Sequence, residues 1–164
     1  MVWRRRFRLR TDFFTGSHGR GSVTGTTLTM LRVEKAAWDT MVSHAEKTFP
    51  KECCGVMLGT DGVVHKAVPL ANVYTGPQED FFVMDPLDLH RVDVEGRKEG
   101  FDVLGVFHSH PDCDAYFSKR DLENSCSWFS YVVLSIKNGR FDHANSYRPD
   151  FDQKEAPKEE LIYG

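Results

Sequence analysis

The residues able to do chemistry are concentrated in Val106 to Asp121, VFHSHPDCDAYFSKRD. His108 and His110 stand two apart at the end of an apolar run, Val103 to His108, that reads as a strand. Alternate residues of a strand point to the same side, so both imidazoles can converge on one ion while Ser109 faces away. A strand also limits the freedom lost in fixing the two rings, which suits a preorganised metal site. Pro111 cannot donate to a ladder, so the chain must leave the sheet directly after the second histidine. Two imidazoles rarely complete a catalytic zinc site, which usually takes three protein ligands and a water. Asp121 is the best third candidate: if Ser118 caps a short helix, Asp121 falls in its first turn and can face back towards the strand end. One Zn2+ held by His108, His110 and Asp121 would keep a position open for a water nucleophile, whose pKa falls from roughly 16 towards about 7 on zinc.

Each signal has an ordinary explanation when taken alone. S-x-x-D is a capping box found at helix starts generally, and histidines near a strand end are often hydrogen-bonded surface groups. Their combination places three ligand-type residues at the rim of one sheet. Ser118 can serve twice, its backbone starting the helix while its hydroxyl donates to a developing oxyanion. Cys113 could ligate zinc as a thiolate or be a plain loop cysteine. Asp112 and Asp114 could meet a second cation or a basic substrate, or be solvated loop acids. Tyr116 and Phe117 either pack under the loop or line a substrate groove. His65, His90 and His143 show no partner pattern and are expected at the surface or in packing.

The elements that must carry these residues follow from periodicity. Val33, Ala37, Trp38, Met41, Val42, Ala45 and Phe49 recur at three- and four-residue spacing, predicting an amphipathic helix that stops before Pro50. Two strands, Cys54 to Leu58 and Val63 to Val68, are joined through Thr60-Asp61-Gly62, a hairpin signal. Ala71 to Asp80 reads as a loop leading into a short strand at Phe81 to Met84. Asp85-Pro86 starts a second helix, which Gly100 ends. A short helix follows Ser118, and Tyr131 to Ile136 pairs with Phe141 to Tyr147 through Asn138-Gly139. The order helix, hairpin, strand, helix, strand, helix, hairpin predicts an α/β fold: a mixed sheet with helices packed on it.

Bulk properties bound the function classes. The chain has 164 residues, enough for one domain with a real core, and 40% hydrophobic with 27% charged residues is ordinary for a soluble globular protein. A net charge of -3 gives no global reason to expect nucleic acid or an anionic membrane as partner. No apolar run is long enough to span a bilayer, and no apolar segment follows the N-terminal arginines. The four cysteines form no C-x-x-C pair, and one of Cys53 and Cys54 is expected to face inward as a small hydrophobe. A reduced, cytoplasmic protein is expected. Residues 1–29 stand apart: VWRRRFRLR is basic and Thr11 to Thr29 is rich in Gly, Ser and Thr. A poorly ordered tail is expected there, with residues 30–164 as the folded domain.

The run H-S-H-P with Ser118 eight positions after His110 and Asp121 three beyond it resembles the JAMM motif of the JAB/MPN metalloproteases. The resemblance covers roughly residues 31 to 148 in the order of elements. It implies a curved mixed sheet flanked by helices, the MPN or cytidine-deaminase-like architecture. It also implies zinc at His108, His110 and Asp121, with Ser118 steadying the oxyanion. The family carries an essential glutamate on an early strand after the first long helix, and Glu52, in PKECCGVMLG, stands there. Glu52 would hold the water, accept its proton and pass it to the leaving amine. Without the resemblance it would read as a solvated strand-end charge. This chain has Phe117 where many relatives carry proline before the serine, a departure that bears on loop shape. The resemblance further implies cleavage after the C-terminal tail of a ubiquitin-like or sulfur-carrier protein, as in the compact prokaryotic members, with tail contacts sought at Ala71 to Asp80. Two other classes stay open: a catalytically silent scaffold of the same fold, and a zinc hydrolase of small molecules. Complete retention of the motif counts against the scaffold. The H-x-E and P-C-x-x-C signature of zinc deaminases is absent.

Overall fold

Turn chemistry and apolar alternation build most of the sheet. The computed structural model describes residues 30–164, so the basic stretch 1–29 lies outside the described residues. The elements run β1 (Met30–Val33), α1 (Lys35–Thr48), β2 (Cys54–Thr60), β3 (Val63–Leu70), α2 (Pro86–Lys98), β4 (Asp102–Pro111), α3 (Lys119–Asn124), β5 (Ser130–Lys137), β6 (Arg140–Tyr147) and β7 (Lys158–Tyr163). Both hairpins turn on two residues of positive φ, Asp61-Gly62 at +51° and +78° and Asn138-Gly139 at +51° and +75°. That backbone matches the right-handed twist of the flanking strands. Asp85 accepts the Leu87 N–H at 2.8 Å and Pro86 opens α2, the cap that the dipeptide predicts.

The strands pair in the order β1-β3-β2-β4-β5-β6-β7, and β7 returns to β1, so the mixed, curved sheet closes into a barrel. β4 runs antiparallel to β2 and parallel to β5. Helix α1 buries Ala37, Trp38, Met41 and Ala45 against Leu31, Val33, Met57, Phe107 and Leu134. Truncating a side chain as completely buried as Met41 to alanine costs about 2–5 kcal/mol. On the other face Leu89 and Val92 of α2 cover Cys54, Val56 and Leu58.

Three expectations need correction. Val33 belongs to β1, not to the start of the first helix; the alternation along Met30–Val33 (exposed, buried, exposed, buried) is that of a strand. β7, KEELIY, has no counterpart in the predicted order, because only Glu159 is buried along it and the charged residues hide the period. Phe81 to Met84 forms no strand. Its one backbone bond across the loop is Val73 N–H to Val83 O at 2.8 Å, and the Val83 N–H goes instead to the Asn72 side chain. The tandem cysteines also exceed expectation: both are buried, Cys53 with the α1 core and Cys54 with the α2 core, since both faces of β2 are covered. Burial pushes both thiols up to about 12, so neither is a ready nucleophile.

Candidate metal centre and active site

Strand β4 sorts its residues by face. Phe107 packs into the α1 core, while Val106 joins Cys126, Phe129 and Tyr131 on the opposite side. His108 and His110 therefore share the face of Val106, at the end of the sheet where α3 begins. Their Nε2 atoms lie 3.2 Å apart. Asp121 Oδ1 stands 3.4 Å from His108 Nε2, and Oδ2 stands 3.8 Å from His110 Nε2. All three side chains are buried, and one ligand atom from each falls within 4.8 Å of the others.

The capping box and the ligand role do not compete for Asp121. Its Oδ2 accepts the Ser118 N–H at 2.8 Å and its own N–H donates to Ser118 Oγ at 3.1 Å, which leaves Oδ1 aimed at His108. The cap thus fixes the carboxylate's rotamer. Ser118 Oγ accepts in this cap and keeps its own proton to donate elsewhere.

Both imidazoles turn Nε2 towards the cluster. His110 Nδ1 meets the Asp114 carbonyl at 3.0 Å; a carbonyl only accepts, so Nδ1 donates there and Nε2 is the ring nitrogen left to face the cluster. His108 is completely buried, and burial lowers its pKa against the opposing pull of Asp121. Burial works to raise the Asp121 pKa, but His108, His110 and Ser118 outweigh it and hold the carboxylate below its ordinary range. Two imidazole nitrogens and one carboxylate oxygen, converging in a buried cluster beside an open cavity, suit a catalytic zinc ion.

Glu52 arrives from just before β2. Its Oε1 is 3.9 Å from His110 Nε2, and the residue is 5% exposed. Burial pushes its pKa up to about 9, with Asp121 and Asp80 adding to the effect and Arg120 opposing it. Ser109, on the face away from the cluster, accepts the Cys53 N–H through its hydroxyl at 2.9 Å. The residue between the two histidines therefore clamps the residue beside Glu52.

Several supporting residues were invisible in the sequence. β6 presents His143, Asn145 and Tyr147, alternate residues of one face, to the loop that follows β4. His143 Nε2 accepts the Ala115 N–H at 3.2 Å, while Asn145 Nδ2 and Tyr147 Oη donate to Ala115 O at 2.8 and 2.7 Å. His143, expected as a surface or packing residue, thus holds the loop whose Asp114 carbonyl orients His110. Only the H-x-N-x-Y alternation could have signalled this. Phe82 tilts against His108 and Tyr116 stands edge-on to His110, each with ring centroids 4.8 Å apart. Phe117 packs inward between Tyr131 and Tyr147, while Tyr116 is half exposed. Cys113 is exposed and lies outside the ligand cluster, and Asp114 instead pairs with Lys137 at 2.9 Å. Beside His108 and Asp121 opens a largely apolar cavity of about 430 Å³, walled by Phe81, Phe82, Met84, Leu89, Phe129 and Tyr131, with Arg120 on its lining.

The chain matches the family of prokaryotic homologs of the JAB domain over residues 34–148. It belongs to that family. It is 35% identical to the desampylase of Pyrococcus furiosus over 90 residues, which is 55% of this chain and 63% of that protein, so a little under two thirds of that relative is spanned. It is 30% identical to a probable TtuB-protein conjugate cleaving protease of Thermus thermophilus over 111 residues, 68% of this chain and 74% of that one. Among solved structures, a protein of Desulfitobacterium hafniense aligns with a TM-score of 0.71 at 30% identity, covering 82% of this chain and 93% of its own. The JAB-type fold of this chain, a mixed sheet with helices on its faces, follows from these matches together with the topology.

Proposed function

We propose that this chain is a zinc-dependent peptidase or isopeptidase that hydrolyses the bond after the C-terminal tail of a ubiquitin-like or sulfur-carrier protein. The observation that carries it is the buried convergence of His108, His110 and Asp121 with the Glu52 carboxyl 3.9 Å from His110. The names of the relatives, a desampylase and a TtuB-conjugate cleaving protease, support the kind of substrate.

In this scheme His108 and His110 give Nε2 and Asp121 gives a carboxylate oxygen to one zinc ion. When bound, zinc supplies Lewis acidity, an acidified water and a positive charge that favours an ionised Glu52. Glu52 then accepts a proton at Oε1 and returns it to the leaving amine, the transfer that amide hydrolysis most needs. Ser118 donates its hydroxyl proton to the oxygen of the tetrahedral centre. The apolar cavity and the loop at Ala71 to Asp80 receive the tail, where glycine lets the scissile carbonyl approach a recessed site. The protein is expected in the cytoplasm without a nucleic-acid partner; among the described residues no helix is long and apolar enough to cross a membrane.

The test is a panel of ubiquitin-like fusions and conjugates from the same genome, read by mass spectrometry. Wild type should release the C-terminal extension in a chelator-sensitive way, and Glu52→Gln should keep stoichiometric zinc yet lose about 10²–10⁴-fold in turnover. Equal turnover by the two proteins overturns the role of Glu52. Freshly purified protein without zinc overturns the enzyme assignment and leaves a binding scaffold.

A further inference from the structure

We infer that Asn72 is a positioning residue that ties Glu52 to the loop walling the cavity, so that order in one imposes order in the other. This rests on the role of Glu52 proposed above. A carboxamide offers two N–H donors and an oxygen that accepts twice, and Asn72 uses all four. Its Nδ2 donates to Glu52 O at 3.2 Å and to Phe81 O at 3.0 Å. Its Oδ1 accepts from Tyr74 N–H at 3.0 Å and Val83 N–H at 3.1 Å. One side chain therefore joins the backbone at four points that no ladder or helix connects.

The surrounding bonds close the same circuit. Glu52 N–H donates to Gln78 O at 2.6 Å, and Gln78 Nε2 donates to Asn72 O and Tyr74 O at 3.0 and 2.7 Å. Both peptide groups flanking the Glu52 Cα are thus bonded into the loop. The far side of that loop faces the chemistry: Phe81, Phe82, Val83 and Met84 wall the cavity, and Phe82 lies against His108. The loop is pinned a second time where the Arg120 guanidinium sits 4.3 Å over the Phe81 ring, one residue before Asp121. Between Leu70 and Pro86 the chain has no regular element, so Asn72 supplies the bonds that a strand pair would otherwise make. A tail seated against Phe81 to Met84 presses on segments that share this one amide with Glu52. Substrate grip and placement of the base are then a single mechanical unit.

The test uses the zinc-loaded protein and Asn72→Ala and Asn72→Asp. Asn72→Ala should keep stoichiometric zinc, lower kcat by about 10- to 100-fold and raise KM, the scale expected when a reacting group is misplaced by about 1 Å. Asn72→Asp retains the acceptor bonds to Tyr74 and Val83 and loses both donor bonds, so it should lower kcat as the alanine does with a smaller rise in KM. A lower Tm with kcat and KM unchanged in the folded protein shows a merely structural role and overturns the inference. Amide hydrogen exchange gives a readout independent of turnover. In Asn72→Ala the Tyr74, Val83 and Glu52 amides should lose protection together; loss at Tyr74 and Val83 with Glu52 still protected overturns the coupling. If wild type cleaves nothing in the panel, the proposed function fails, while the exchange result still decides whether Asn72 couples the two segments.

Discussion

The three metal-ligand candidates and the candidate base face one another but are held by different means. His108 and His110 are aimed by the alternation of one strand, and Asp121 is aimed by the cap of the short helix that follows, with Ser118 accepting its N–H and donating to its Oδ2. Glu52 has no such local frame. It lies between a helix and a strand, and its backbone is fixed by Gln78 O, by Asn72 Nδ2 and, through Cys53, by Ser109, a residue 56 positions from Cys53. Local geometry preorganises the ligands cheaply in entropy, whereas the base depends on tertiary hydrogen bonds that one substitution can release.

That contrast can be broken at either end. The largest effect is expected from Asp121→Ala, which removes a ligand oxygen and the half of the capping box that receives the Ser118 N–H: zinc should fall below detectable stoichiometry and turnover to background. Retained zinc, measured by atomic emission on the dialysed protein, would show that the histidines suffice. Ser118→Ala should lower kcat by about 10²–10³-fold if its hydroxyl meets the oxyanion, and should also cost about 1 kcal/mol of stability through the lost cap. A stability loss with kcat unchanged would confine Ser118 to capping. Next comes His143→Phe, which leaves the Ala115 N–H without its acceptor. Zinc release to a chromogenic chelator should quicken by about tenfold, with His143→Gln restoring the wild-type rate. Unchanged release would mean that Asn145 and Tyr147 hold the loop alone.

The last effect concerns pH and the metal-free protein alone. The Glu52 carboxyl is held at about 9 in the folded chain, mainly by burial, against an ordinary value of 4.5. The folded protein without zinc keeps a proton that the unfolded chain releases, so this contribution to stability is complete below about 4.5 and is lost as pH rises towards about 9. Metal-free Glu52→Gln has no such proton to lose. Its Tm relative to metal-free wild type should therefore climb between about pH 5 and pH 9, and parallel Tm curves would show that Glu52 is not desolvated as described.

By itself the sequence determined whatever is local and periodic. The H-x-H alternation, the S-x-x-D cap, the Asp-Gly and Asn-Gly turns and the Asp-Pro helix start each act over a few residues, and the structure forms each of these elements as its pattern predicts. The α/β class and the mixed sheet follow from their order. Only the tertiary structure decided what depends on distant partners. β7 closes the barrel although its charged residues mask any period, because β1 and β6 supply its ladder partners. Phe81 to Met84 is apolar enough for a strand but finds Asn72 instead of a neighbour to pair with. Cys53 and Cys54 are both buried because helices cover both faces of the sheet. Without the family resemblance Glu52 reads as a solvated charge, and His143 reads as a surface or packing residue; one is buried 3.9 Å from His110 and the other bonds the loop that orients the same ring. A strand or a cap is written in neighbouring residues. A side chain whose burial and partners come from across the barrel acquires its chemistry only when the barrel closes.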